Sequence, residues 1–358
     1  MSQHPLIDLA HGHEVKQARE FGQAAAGLTG QALAAHYRLE LESAPSLHAL
    51  DRKYLAGHSK RTPSDRRPGR DEEHLAMALL AHCQANGEGL VLPEGGTLQL
   101  LDHQVPLVAP PSGRDGHETD LHKGIGKVDL LGLGPENQLA IAKLKFVAPE
   151  ATRCGTGDTP LRALLEGLAK AAIVEANRAA LQAEIRERSD RALSEDPPML
   201  LLIASPRYWR LCRKREAQKG AAWIKQMERL AREIGEEIGV QVRYLGLELR
   251  GDPGWSYTES GPVLDAPPTL AKAWERYAGR VRPKSPPRAK GSGSAAVEIE
   301  ADLTRPIRSY MLSDTYTSGD RIEHPTLGTG VVQGGAGPGK IRVSFGSKKS
   351  LLVHERTA

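Results

Sequence analysis

Asp129, Lys143 and Lys145 are the residues of this chain whose types and spacing best suit chemistry. They lie in residues 124–146, G-I-G-K-V-D-L-L-G-L-G-P-E-N-Q-L-A-I-A-K-L-K-F. The pattern predicts two short buried strands joined by a turn. Val128, Leu130 and Leu131 fall in the first, Gly134, Pro135, Glu136 and Asn137 in the turn, and Leu139, Ile141, Leu144 and Phe146 in the second. Residues i and i+2 of a strand point to one face, so Lys143 and Lys145 lie side by side, roughly where Asp129 faces. A carboxylate and two ammonium groups among so many apolar neighbours must be paired, hydrated or used, because a lone buried charge is very unfavourable. A carboxylate offers oxygen to a hard cation, and two lysines attract phosphate.

These residues resemble the core of the PD-(D/E)XK nuclease superfamily, which sets an Asp on one strand and an acid-x-Lys on the next around a divalent metal. Asp129 matches the Asp and Lys145 the Lys, while Lys143 stands where the family has Glu or Asp. In that superfamily a first helix often brings an acid to the rim of the site, and R-D-E-E-H-L-A at 70–76 is similar to such a helix. The resemblance thus implies Asp129, Lys145, Lys143 and Glu73 (or Glu72) as site residues, with Asp129 and Glu73 as ligands of Mg²⁺. Stabilisation of a helix N-terminus by acidic residues explains Glu72 and Glu73 equally well. With Lys143 at the acidic position, metal chemistry would need a migrated carboxylate such as Glu73 or Glu166.

The elements that must position these groups read as a mixed α/β pattern. Residues 1–60 predict a helical N-terminal extension, in which His11 and His13 read as helix-cap residues. Lys60–Arg70 is a basic, proline-broken loop, either a connector or a phosphate-contacting arm. A helix over 71–84 and strands over 90–92 and 98–108 precede the hairpin. The loop before it carries Asp115, His117, Glu118, Asp120 and His122, potential ligands or only wet loop residues. A long helix is expected over 160–188, with Pro160 in its first turn and Glu166 and Lys170 paired on its surface. Met199–Ala204, M-L-L-L-I-A, predicts a strand buried on both faces. Arg207, Arg210, Arg213, Lys214, Arg215 and Lys219 then form a cationic block around Tyr208 and Trp209, either a nucleic-acid surface with stacking aromatics or a solvated helix start whose aromatics close the core. A helix over 221–235, an edge strand over 240–249 and a short helix within 251–278 complete the domain. This α/β element order, over roughly residues 65–250, resembles that expected of a restriction-endonuclease-like mixed sheet flanked by helices. The nuclease-like domain is placed at 61–280.

Residues 281–312 read as a basic linker rich in Pro, Ser and Gly. From 313 to 358 short β runs alternate with glycine turns. Gly319, Asp320, Ile322, His324, Pro325, Leu327, Gly328, Gly330 and Val332 follow the pattern G-D-x-[VI]-x-H-P-x-[LF]-G-x-G-x-V, with Ile341, Val343, Phe345, Leu351 and His354 after it. This resembles the SH3/Tudor-like barrel of CarD-like transcription factors and of some helicase C-termini. That likeness implies a protein partner such as RNA polymerase, or nucleic acid.

Composition bounds these readings. The 358 residues suit two domains, and the net charge of +4 permits nucleic acid without demanding it. No stretch has the apolar length of a membrane span, the first residues lack a signal-peptide layout, and Cys83, Cys154 and Cys212 give neither a disulfide framework nor a zinc motif. A cytoplasmic, reduced protein is expected. Three functions stay open. One is a nuclease-like DNA-binding core, catalytically degenerate, joined to a partner-recruiting barrel and associated with transcription or repair. The second is an active Mg²⁺-dependent DNA endonuclease, and the third a protein-interaction scaffold without nucleic acid, in which Asp129 and Lys145 form an internal ion pair.

Overall fold

The computed structural model describes residues 3–55, 63–109, 122–155, 157–215, 222–273 and 298–355, with side chains 213–215 outside the description. The basic block's Lys219 and the loop carrying Asp115, His117, Glu118 and Asp120 lie outside the described residues. Two compact units divide the chain, Met1–Val281 and Arg282–Ala358.

The first unit is built on a seven-stranded mixed sheet in the order β1-β2-β3-β4-β5-β6-β9. Its strands are β1 (Leu90–Val91), β2 (Thr97–Pro106), β3 (Lys127–Leu133), β4 (Leu139–Lys145), β5 (Met199–Ala204), β6 (Gln241–Glu248) and β9 (Thr269–Lys272). A separate two-stranded hairpin, β7 (Trp255–Thr258) and β8 (Gly261–Leu264), lies between the last two in sequence. Strands β1 to β4 run antiparallel, β4, β5 and β6 run parallel, and β9 closes antiparallel on β6. The parallel step from β4 to β5 needs a crossover. It is made by α6 (Pro160–Ala176) and α7 (Arg178–Arg186). One face of the sheet is covered by α6, α9 (Ala222–Ile238) and the N-terminal helices α1 (Pro5–Ala10), α2 (His13–Lys16), α3 (Phe21–Gly27) and α4 (Gly30–Glu42). Leu6, Phe21, Leu33 and Tyr37 share a core there with Ile141, Leu164 and Leu202. The other face packs on α5 (Asp71–Asn86) and the β7–β8 hairpin through Leu75, Leu79, Leu144, Leu201 and Trp255. Helix α8 (Pro206–Arg215) follows directly on the end of β5.

Several details differ from the sequence expectations. The helix expected over 160–188 is broken at Asn177, whose side-chain amide donates to Pro45 O and Ile173 O. Strand β6 is not an edge, because β9 pairs along its outer side. Three short strands, β7, β8 and β9, lie in the stretch expected to hold one short helix, and residues 274–278 of that stretch are outside the described residues.

The second unit is a five-stranded sheet, β10 (Arg308–Ser309), β11 (Arg321–His324), β12 (Gly328–Gly337), β13 (Lys340–Phe345) and β14 (Lys348–Val353). The pairing is antiparallel except between β10 and β11. Register shifts at Val332–Gly334 and Gly335–Gly337 mark bulges in β12, which bend and twist a sheet. Ile322, Val332, Ile341, Val343, Phe345 and Tyr316 form a core separate from the first unit's. Strand β10 falls within the stretch that the sequence places in the linker. Arg305 of that stretch bonds buried Asp320 at 2.6 Å.

Candidate functional site

Strand pairing brings the predicted residues together. Asp129 on β3 and Lys143 on the neighbouring β4 are 7 % and 8 % exposed, and Lys143 Nζ lies 3.1 Å from Asp129 Oδ2. The same oxygen accepts the Leu144 amide proton at 2.8 Å. Lys143 Nζ also stands 3.8 Å from Glu166 Oε2 on α6, and Arg162, one turn earlier on α6, donates to Glu166 Oε1 at 2.7 Å. Lys145, two residues along β4, meets Asp158 Oδ1 at 2.7 Å and Glu72 Oε1 at 3.4 Å. Lys170, buried on α6, donates to the carbonyl of Lys127 on β3 at 2.6 Å.

The cluster therefore sets Asp129, Glu166, Glu72 and Asp158 against Lys143, Lys145, Lys170 and Arg162, and it is balanced in formal charge. Burial works against the ionised form of Asp129, but Lys143, Lys170 and the Leu144 amide outweigh it and hold its pKa below the usual carboxylate value. Burial likewise opposes the charged forms of Lys143 and Lys145. Asp129 for the first, Glu72 and Asp158 for the second, reverse this and hold both above the usual lysine value. Glu166 is lowered, because Lys143 and Arg162 overcome its burial. Glu72 is raised, because burial exceeds the pull of Lys145 and Lys143. For Lys170 the compensation falls short: burial and then Lys143 push its pKa down to about 8, against the pull of Asp129 and Glu166.

Of the expected residues, Asp129, Lys143 and Lys145 come together, and Glu73 does not. Successive helical residues point about 100° apart, so only one of Glu72 and Glu73 faces the sheet end. Glu72 is that residue, and Glu73 pairs outward with Arg70 at 2.6 Å. Glu166 and Lys170 do not form a surface pair, since both turn inward to the cluster. Asp158 and Lys170 were missed by sequence reasoning as site residues. Lys170 sits in an α6 that is apolar nearly all round, which marks a buried helix and so a lysine needing a partner. Asp158 lies in a loop with no pattern to single it out. Among the described residues, no three His, Cys, Asp or Glu side chains come together in a metal-holding arrangement.

The cationic block is arranged differently from a stacking surface. Tyr208 and Trp209 are buried, and Trp209 Nε1 donates to Leu245 O at 3.0 Å, so these aromatics close the core. Arg207 is half-buried and directs its guanidinium to Ala151 O, with Nε at 2.7 Å. Arg210 is exposed, with Nε 3.3 Å from Pro206 O. Arg213, Lys214 and Arg215 continue the same helix. No described helix is long and apolar enough to cross a membrane. No protein-family model, curated protein or solved structure matches the chain.

Proposed function

We propose that the first unit is a restriction-endonuclease-like core that binds nucleic acid, DNA first among the candidates, without hydrolysing it. We further propose that the second unit is an SH3/Tudor-like barrel that docks a protein partner such as RNA polymerase. The mixed sheet supports the fold reading, with its antiparallel β1–β4, parallel β4–β6 and chemistry-bearing residues on adjacent β3 and β4. Lys143 Nζ at 3.1 Å from Asp129 Oδ2 carries the non-hydrolytic reading. An ammonium already neutralises the one buried carboxylate that the superfamily would give to its metal. The residues present do not fit Mg²⁺, which needs oxygen ligands at about 2.0–2.1 Å in octahedral array. Lys143 and Lys145, matched by carboxylates, have no charge left for phosphate. Backbone contact then falls to α8, where Arg210 is exposed and Arg213, Lys214 and Arg215 follow along the helix, and affinity there would come from neutralising phosphates and releasing counterions.

The test uses supercoiled and linear duplex DNA with Mg²⁺ or Mn²⁺. The wild type is expected to bind duplex, weakening as salt rises, and to leave it intact. Lys143→Glu replaces the ammonium by a carboxylate beside Asp129 and Glu166. Mn²⁺ binding, absent from the wild type, is expected to appear in calorimetric titration of this variant. Charge reversal at Arg210, Arg213 and Arg215 should weaken binding uniformly across sequences and flatten the salt slope. Metal-dependent cleavage by the wild type that disappears in Asp129→Ala would overturn the non-hydrolytic reading. Absence of DNA binding would leave the protein-interaction scaffold instead.

A further inference from the structure

Strands β4, β5 and β6 are parallel, so their carboxyl ends lie at one end of the sheet. Ligands of open α/β sheets collect outside such ends. A pocket of about 540 Å³ lies there, lined by residues that directly follow Lys145, by the β5–α8 junction and by the end of β6. Its volume falls in the range of small-ligand sites, about 300–1,000 Å³. Phe146, Leu247, Leu249 and Pro253 give it an apolar wall. Phe146 is fixed edge-on against Trp255, with ring centroids 4.9 Å apart at 68°.

The polar part of the lining is basic. Ser205 is already engaged, since its hydroxyl donates to Val147 O and accepts from Val147 N, each at 3.0 Å. Arg207 and Arg210 line the pocket, and Arg207 is oriented by Ala151 O. Glu248 is on the same lining, so two guanidinium groups against one carboxylate leave a net positive charge. An apolar wall beside two guanidinium groups suits a planar ring that carries a phosphate. Guanidinium holds phosphate oxygens in bidentate fashion, and the apolar wall takes the ring face.

We infer that this pocket binds a nucleotide, with its base against Phe146 and Leu249 and its phosphate on Arg207 and Arg210. The inference rests on the nucleic-acid reading above and names the part of the nucleic acid that the pocket takes, an unpaired terminal nucleotide. A free nucleotide carries the same chemistry, and the experiment separates the two sources.

Binding of short single-stranded oligonucleotides to the full chain is measured by fluorescence anisotropy, with a phosphate at the 5′ end, at the 3′ end or at neither, and with dAMP as competitor. A terminal phosphate at one end should tighten binding about tenfold. Competition by dAMP only at far higher concentration assigns the site to a chain end, whereas competition at equal concentration assigns it to the free nucleotide. Arg210→Ala, at an exposed position, should remove most of the phosphate preference. Leu249→Trp, which adds bulk to the pocket wall, should remove binding of phosphorylated strand and dAMP alike, with thermal melts confirming that both variants are folded. No phosphate preference in the wild type, or a preference unchanged in both variants, overturns the proposal. Blunt-duplex affinity measured in parallel separates the two claims. Duplex binding without phosphate preference removes the pocket assignment alone, and phosphate preference without duplex binding removes the duplex reading alone.

Discussion

Asp129 and Lys143 are tolerable in the core chiefly because of each other. Removing one partner of a buried pair leaves an uncompensated charge and is destabilising by about 3–5 kcal/mol, whereas replacing both with apolar groups is often close to neutral. Asp129→Ala is therefore expected to lower stability in denaturant titration by an amount in that range, since it also strips the Leu144 amide of its acceptor. Adding Lys143→Met to it should recover part of the loss; a double variant as unstable as the single one would show that the charge is not the cause. Lys170 gives a pH signature. Its folded pKa is about 8, below the unfolded lysine value of about 10.4. Between those limits the unfolded chain holds a proton that the folded chain does not, so stability owed to Lys170 rises with pH, by up to about 1.4 kcal/mol per unit. Lys143 and Lys145, whose values are raised, lose their contribution only above that window. The stability of the wild type relative to Lys170→Met is thus expected to grow from pH 8 to pH 10, and a flat difference would give Lys170 an ordinary pKa. The Asp129–Lys143–Lys145 grouping was legible in the sequence because a two-residue period places strand side chains without knowledge of the rest of the fold. Which lysine takes Asp129 was not: the internal ion pair that the sequence suggests as its scaffold alternative joins Asp129 to Lys145, and cross-strand position gives the contact to Lys143.

At the scale of elements, legibility followed the length and regularity of each segment. Strand β5 occupies the residues its apolar run predicts, and α5 starts where its acidic turn places it. Strands β7, β8 and β9 are four residues each, among glycine and proline, too short for either period to register. Missing β9 is also what made β6 look like an edge, because an interior strand with one polar margin alternates as an edge strand does. The direction of α6 side chains needed tertiary information of another kind. An i,i+4 acid–base pair reads as a solvated face, yet burial of almost the whole helix leaves Glu166 and Lys170 no solvent to face. They turn instead toward the buried charges of β3 and β4, which is how a helix with a surface-type signature becomes part of the candidate site. Glu72 and Glu73 show the same limit: their composition announces a helix start, and only the docking angle of α5 selects which one reaches Lys145.

For the whole molecule, two units with separate cores should respond separately to damage within one of them. The first unit's core runs from Leu6 through the sheet to Ala273, and the second has its own small cluster around Phe345. In the second, β12 can cross the Phe345 ring only because position 330 has no side chain. A Cβ there would lie 2.5 Å from two ring carbons of Phe345 and 2.7 Å from Val343, and both neighbours are packed in that core. Gly330→Ala must therefore displace the ring or bend the strand, an overpacking penalty of about 1–3 kcal/mol. A core this small has little surplus stability to absorb it. Calorimetry of the full chain is expected to show the melting of the second unit shifted down by several degrees while that of the first stays in place. Duplex binding, assigned to α8 in the first unit, should be retained at temperatures where the variant's second unit has melted. A joint shift of both transitions, or loss of duplex binding together with the second unit, would mean that the units act as one cooperative body and that the nucleic-acid surface does not belong to the first alone.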